Sequence, residues 1–140
     1  HPDGEFLLID ESYNANPASM RAALATLATV PRAEFPRRIA VLGDMLELGP
    51  DAAALHRGLF DAVASAGVDL LFACGPLSHG LYDAAPAAMK GGYAKTAADL
   101  LPLVMASVRT GDAVMVKASN GTRLGSVVEG LKAHYAAASS

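Results

Sequence analysis

The stretch Asp10-Glu11-Ser12-Tyr13-Asn14-Ala15-Asn16-Pro17 carries more hydrogen-bonding groups than a turn uses. A turn that opens a helix needs one capping side chain and at most one Asx interaction. Here two carboxylates, a hydroxyl, a phenol and two amides stand together. Carboxylates suit ribose hydroxyls or a metal ion, an aromatic ring suits a base or sugar face, and an Asn amide donates and accepts at once. Any one of these residues is equally well a cap or a solvated turn residue. Their concentration points to a ligand.

A second group lies near the other end, in Lys117-Ala118-Ser119-Asn120-Gly121-Thr122-Arg123. A lysine leaves an apolar run, and Ser119 and Asn120 precede a helical pattern whose first N–H groups attract anions. A helix N-terminus contributes roughly 0.3–1 kcal/mol toward an anion and a charged hydrogen bond roughly 1.5–3 kcal/mol. Together they suit a carboxylate or phosphate. The plainer reading is an ordinary N-cap beside a solvated lysine. Polar turns also occur at Gly43 to Leu48, Cys74 to His79 and Lys95-Thr96.

The elements that position these turns alternate regularly. Apolar runs at Glu5 to Ile9, Arg38 to Leu42, Val68 to Ala73 and Ala113 to Val116 read as strands buried on both faces, and Gly92 to Thr96 as a weaker one. Asn16-Pro17 supplies an N-cap and a first-turn proline, and Met20, Leu24 and Leu27 fall at helical spacing up to about Val30. Leu55, Leu59 and Val63 recur every four residues from Asp51 to Gly67, which leaves His56 on the helix surface. Shorter helices are expected over Leu77 to Ala84 and around Leu100, Leu103 and Val104. A longer one is expected from Gly121 to about Ala137, with Leu124, Val127, Val128, Leu131 and Tyr135 on one face. Alternation at this spacing predicts a parallel sheet covered on both sides, with every strand-to-helix turn on one edge. Ligands of such sheets bind at that edge.

Composition narrows the function classes. The 140 residues fit one domain, 52% hydrophobic and 18% charged. No apolar run is long enough for a membrane span. Net charge is −3 without a Lys/Arg cluster, which argues against nucleic acid as a partner. There is no GxGxxG after the first strand, no GxxxxGK[ST], no HExxH and no GxSxG, so a self-sufficient dinucleotide site, a P-loop, a zincin site and a hydrolase elbow are all excluded as local motifs. The one cysteine, Cys74, sits among apolar residues and reads as a buried, inert thiol. The beginning, His1-Pro2-Asp3-Gly4, resembles no targeting sequence, and the expected location is the cytoplasm.

Three stretches carry a specific resemblance. Ile9-Asp10-Glu11-Ser12-Tyr13-Asn14-Ala15-Asn16-Pro17-Ala18-Ser19-Met20, then Val41-Leu42-Gly43-Asp44-Met45-Leu46-Glu47-Leu48-Gly49 with His56 following, then Val116-Lys117-Ala118-Ser119-Asn120 resemble, in order and spacing, the C-terminal third of the Mur ligases of bacterial peptidoglycan synthesis. The branch they resemble adds D-Ala-D-Ala to UDP-MurNAc-tripeptide. The resemblance implies that residues 1–140 form a C-terminal domain, an α/β, three-layer Rossmann-like unit with a mostly parallel sheet of about five or six strands. It also implies N-terminal UDP-binding and central ATP-binding domains outside this chain, the central one holding the P-loop, ATP and Mg2+. The family reaction phosphorylates the tripeptide carboxylate, and the dipeptide amine attacks the acyl phosphate through a tetrahedral intermediate. By position, Asp10, Glu11, Tyr13, Asn14 and Asn16 would face ATP. Gly43, Asp44, Lys117, Ser119 and Asn120 would lie toward the dipeptide. No metal ligand or catalytic group is implied within this stretch alone, so the domain by itself is expected to be inactive and monomeric.

Two other classes fit parts of the pattern. A phosphoacceptor receiver domain also pairs acidic residues after its first strand with a hydroxyl and a lysine later, matching Asp10, Glu11, Thr96 and Lys117. It requires an aspartate at the end of the third strand, where Phe72-Ala73-Cys74-Gly75 has none. A freestanding nucleotide or amino-acid binding module is the remaining alternative.

Overall fold

The computed structural model describes residues 7–11, 17–45, 49–108, 111–117, 127 and 129–130. Five strands form one sheet: β1 (Leu7–Glu11), β2 (Arg37–Gly43), β3 (Leu70–Cys74), β4 (Lys90–Ala94) and β5 (Asp112–Lys117). Their order is β1-β5-β2-β3-β4, and every neighbouring pair is parallel. Helices α1 (Pro17–Ala28), α2 (Ala52–Arg57), α3 (Phe60–Ser65), α4 (His79–Ala84) and α5 (Ala97–Ser107) connect them. The expected α/β class and parallel sheet are both present.

Alternation along each strand sends successive side chains to opposite faces and divides the core in two. Ala40, Leu42, Leu71, Ala113 and Met115 face one side, where Met20, Leu24 and Leu27 of α1, Val63 of α3 and Leu81 of α4 cover them. Ile39, Val41, Phe72, Cys74, Val114 and Val116 face the other, under Ala97, Leu100 and Val104 of α5 and Val127. Layers of helix, sheet and helix result. The longer C-terminal helix falls mostly outside the described residues, but Val127, Glu129 and Gly130 are helical and Val127 is buried.

The chain moves from β1 to β2, β3 and β4 with its helices on the first face, then returns through α5 on the second face to insert β5 between β1 and β2. The helices that follow β2 pack on the first face, whereas Val127, which follows β5, is buried on the second. Such a switch point opens a crevice at the carboxyl edge.

At the opposite edge, Arg37 makes a two-pronged ion pair with Asp112, both bonds 2.8 Å. Residues 37 and 112 are directly paired between β2 and β5. Arg38 donates to the carbonyls of Ala28, Val30 and Ala66, closing the ends of α1 and α3.

Three expectations require correction. The single helix from Asp51 to Gly67 is two, because Leu59 N–H bonds back three residues to the His56 carbonyl and tightens the screw. The buried face then runs His56, Leu59, Val63, Ala66, and Leu55 is 38% exposed. His56 is consequently not a surface residue: its exposure is 0%. The end at Gly67 is as expected, with φ +70° and a Schellman pair of bonds, Gly67 N–H to Ala64 and Val68 N–H to Val63. Finally, the fourth strand begins at Lys90 and ends at Ala94, so Lys95-Thr96 is a turn in which Thr96 Oγ1 caps α5 by accepting from Asp99 N–H.

Candidate functional site

The sheet sets its candidate residues in a row. Lys117, the last residue of β5, is paired with Glu11, the last of β1, on one side and with Leu42 of β2 on the other. Strand spacing puts each neighbour's backbone about 4.8 Å away. Gly43 follows Leu42 and is paired with Cys74 at the end of β3. Asp10, Glu11, Gly43, Asp44 and Lys117 thus all come to the carboxyl edge, at the switch point. For Asp10 and Glu11 only the backbone course is described. Tyr13, Asn14, Asn16, Ser119 and Asn120 lie outside the described residues.

Lys117 is 4% exposed and has an interaction partner within the protein. An ammonium that deep requires a partner, since burying it alone costs several kcal/mol.

Asp44 is also buried, and its carboxylate turns inward. Oδ1 accepts from Ser78 N–H at 2.8 Å and from Ser78 Oγ–H at 2.9 Å, while Oδ2 accepts from Leu77 N–H at 3.2 Å. These bonds fasten the turn after β2 to the turn before α4. Ser78 stands at the N-cap of α4 but makes no side-chain cap, its hydroxyl being given to Asp44. From there the ties continue outward: Gly75 N–H donates to the Ala94 carbonyl, and Tyr93 Oη–H donates to the Gly75 carbonyl at 2.8 Å. His79 rests edge-on against Tyr93, ring centres 4.9 Å apart.

The next residue, Met45, is held from the other side. Its N–H donates to His56 Nε2 at 2.7 Å, and His56 Nδ1 donates to the Ala52 carbonyl at 2.6 Å. An amide only donates and a carbonyl only accepts, so the imidazole proton sits on Nδ1 and Nε2 is the acceptor. The turn after β2 is therefore clamped twice, by Asp44 toward β3 and by Met45 toward α2.

Cys74 lies fully buried at the end of β3. Burial first, and then the Asp44 carboxylate, push its thiol up to about 11. At neutral pH such a thiol is not a nucleophile. β3 ends in Cys74, without the aspartate that a phosphoacceptor site has at that position. Among the described residues no three His, Cys, Asp or Glu side chains converge to hold a metal ion.

Residues 2–120 match the family described as "Mur ligase, glutamate ligase domain". The chain belongs to the Mur ligase family. Relatives agree in name. The UDP-N-acetylmuramoyl-tripeptide–D-alanyl-D-alanine ligase of Mycobacterium tuberculosis H37Rv is 37% identical over 145 residues, covering 90% of this chain. The enzyme of the same name in Escherichia coli K12 is 43% identical over 75 residues, covering 54% of the chain and 16% of the enzyme. The chain spans only 28% of the length of the mycobacterial relative. A MurF crystal structure from Acinetobacter baumannii superposes with a TM-score of 0.71 at 27% identity, over 87% of this chain and 26% of that one. MurF from Thermotoga maritima, solved with ADP, gives 0.76 at 22% identity over 93% of this chain and 29% of that one, a likeness of fold.

Within this Mur ligase domain, two features had only weak signals in the sequence. The His56, Leu59, Val63, Ala66 spacing of three, four and three was available as an alternative to the every-fourth pattern. The Asp44–Ser78 tie joins residues 34 apart with no local pattern at all.

Proposed function

We propose that this chain is the C-terminal domain of an ATP-dependent ligase that joins D-Ala-D-Ala to UDP-MurNAc-tripeptide. The observation that carries the reading is the row Glu11, Lys117, Leu42-Gly43 at the switch point of the sheet, in a chain whose relatives bear that activity in their names.

The row divides the work between two sides. At its β1 end, Glu11 with Asp10 offers carboxylates to the nucleotide ribose, and Tyr13, Asn14 and Asn16 follow in the same loop. At its β5 end, Lys117 brings a cation to the crevice, and Ser119 and Asn120 follow toward a helix. The dipeptide carboxylate is held there, so that its amine is presented to an acyl phosphate instead of diffusing. Gly43 and Asp44 form the wall that continues from Leu42. Asp44 serves by anchoring this wall. ATP and Mg2+, held by the central domain, would supply the phosphoryl transfer that makes the acyl phosphate.

The test is a three-substrate assay of the whole ligase. Phosphate release that requires UDP-MurNAc-tripeptide, ATP and D-Ala-D-Ala together supports the reading. Turnover with glutamate in place of the dipeptide, or turnover without any amine acceptor, contradicts it.

A further inference from the structure

We infer that His56 is a positioning residue of the dipeptide site: by holding Met45 N–H it fixes the turn after β2 against the end of β5. The inference rests on the proposed dipeptide reading and deepens it.

A fully buried imidazole is an odd choice for packing alone. His56 shares its face with Leu59, Val63 and Ala66, and an aliphatic side chain there would bury as much without polar groups to satisfy. A buried polar group destabilises unless it is hydrogen-bonded. Both ring nitrogens of His56 are bonded, one to its own helix and one to Met45. The helix bond orients the ring and places the proton on Nδ1. The free lone pair on Nε2 is thereby aimed at a single amide.

That amide is where the sheet stops supplying partners. β2 ends at Gly43, and the ladder with β3 ends at Gly43 and Cys74. Beyond it each backbone N–H must find another acceptor. Asp44 restrains its own residue through Leu77 and Ser78, and the His56 bond restrains the adjacent residue from the α2 side. The wall so fixed starts one residue beyond Leu42, the direct neighbour of Lys117. A shift of the turn changes the space beside Lys117, while β1 lies on the far side of β5 from β2.

Two substitutions separate the Met45 bond from packing. His56→Gln reaches as far as Nε2 and retains an acceptor for Met45 N–H. His56→Asn is shorter; it can still donate to Ala52 but leaves Met45 N–H without its partner. In the whole ligase, His56→Asn is expected to raise KM for D-Ala-D-Ala about tenfold, the equivalent of one hydrogen bond at the upper end of its range. KM for ATP should stay unchanged, and His56→Gln should restore the dipeptide KM. Equal dipeptide KM values in the two variants and the parent, with only the melting temperature lowered, would overturn the inference, as would an equal rise in KM for both substrates. Lys117→Met is run alongside. A raised dipeptide KM there with unchanged values in both His56 variants defeats the His56 role alone, whereas an unchanged value in Lys117→Met removes the dipeptide reading beneath it.

Discussion

Gly75 lies directly beneath the carboxylate of Asp44: a β-carbon on residue 75 would come within 2.5 Å of Asp44 Cγ and Oδ1. Its φ is +103°, a conformation open to glycine and strained for other residues. The tie between the turns after β2 and β3 thus depends on a missing side chain. Gly75→Ala is expected to destabilise the domain by roughly 2–4 kcal/mol, combining backbone strain with overpacking of a buried group. Urea unfolding of the chain measures it. A change within about 0.5 kcal/mol, the range of an ordinary surface substitution, would show that the carboxylate swings away freely.

Cys74 predicts a pH dependence. Its thiol ionises at about 11 when folded, against an ordinary 9.0, because burial and Asp44 disfavour the thiolate. Below pH 9 both folded and unfolded chains keep the proton, and the contribution is constant. Between pH 9 and about 11 the unfolded chain releases it first, so stability falls as pH rises. Burial also raises Tyr82 and Tyr93, with nearby carboxylates adding to it, which extends the decline in the same direction. Cys74→Ala should flatten the lower part of this decline in unfolding curves taken at successive pH values. In the native protein at pH 8, Ellman's reagent should leave Cys74 untouched until denaturant is added; rapid native labelling would contradict the burial.

Glu11 tests the nucleotide side. If its carboxylate makes a charged hydrogen bond to ATP in the whole ligase, Glu11→Ala lowers kcat/KM for ATP by an amount equivalent to roughly 1.5–3 kcal/mol. The dipeptide KM should be little changed, because β5 separates β1 from the β2 wall. An unchanged kcat/KM for ATP would return Glu11 to an ordinary turn residue.

The parts of the fold legible in the sequence are those where one physical demand acts alone. β5 is buried along its whole length, so Ala113 to Val116 could only be apolar and the run announces itself. The α1 face, Met20, Leu24 and Leu27, is equally plain because a helix against a sheet needs a stripe. β4 begins and ends two residues earlier than its pattern suggests because that pattern obeys a neighbour: a β-carbon on Gly91 would meet the Phe72 ring at 2.6 Å, a constraint from another strand that periodicity does not carry. His56 was misplaced because two helical spacings were compatible with the same leucine and valine, and a tight turn chose between them. At the site, residue types and order pointed to the carboxyl edge, and register then put Glu11, Lys117 and Leu42 abreast. The inward turn of Asp44 had no local signal, since its partners stand 33 and 34 residues away.

The central claim is that the β5 end of the row holds the incoming dipeptide, and Lys117→Met in the whole ligase tests it most directly. Methionine keeps most of the apolar stem and removes the charge. Steady-state kinetics with each substrate varied in turn should show KM for D-Ala-D-Ala raised by about tenfold or more, the loss expected for a charged hydrogen bond, with KM for ATP unchanged. An equal loss for ATP would place Lys117 on the nucleotide side, and unchanged values for both substrates would contradict the account.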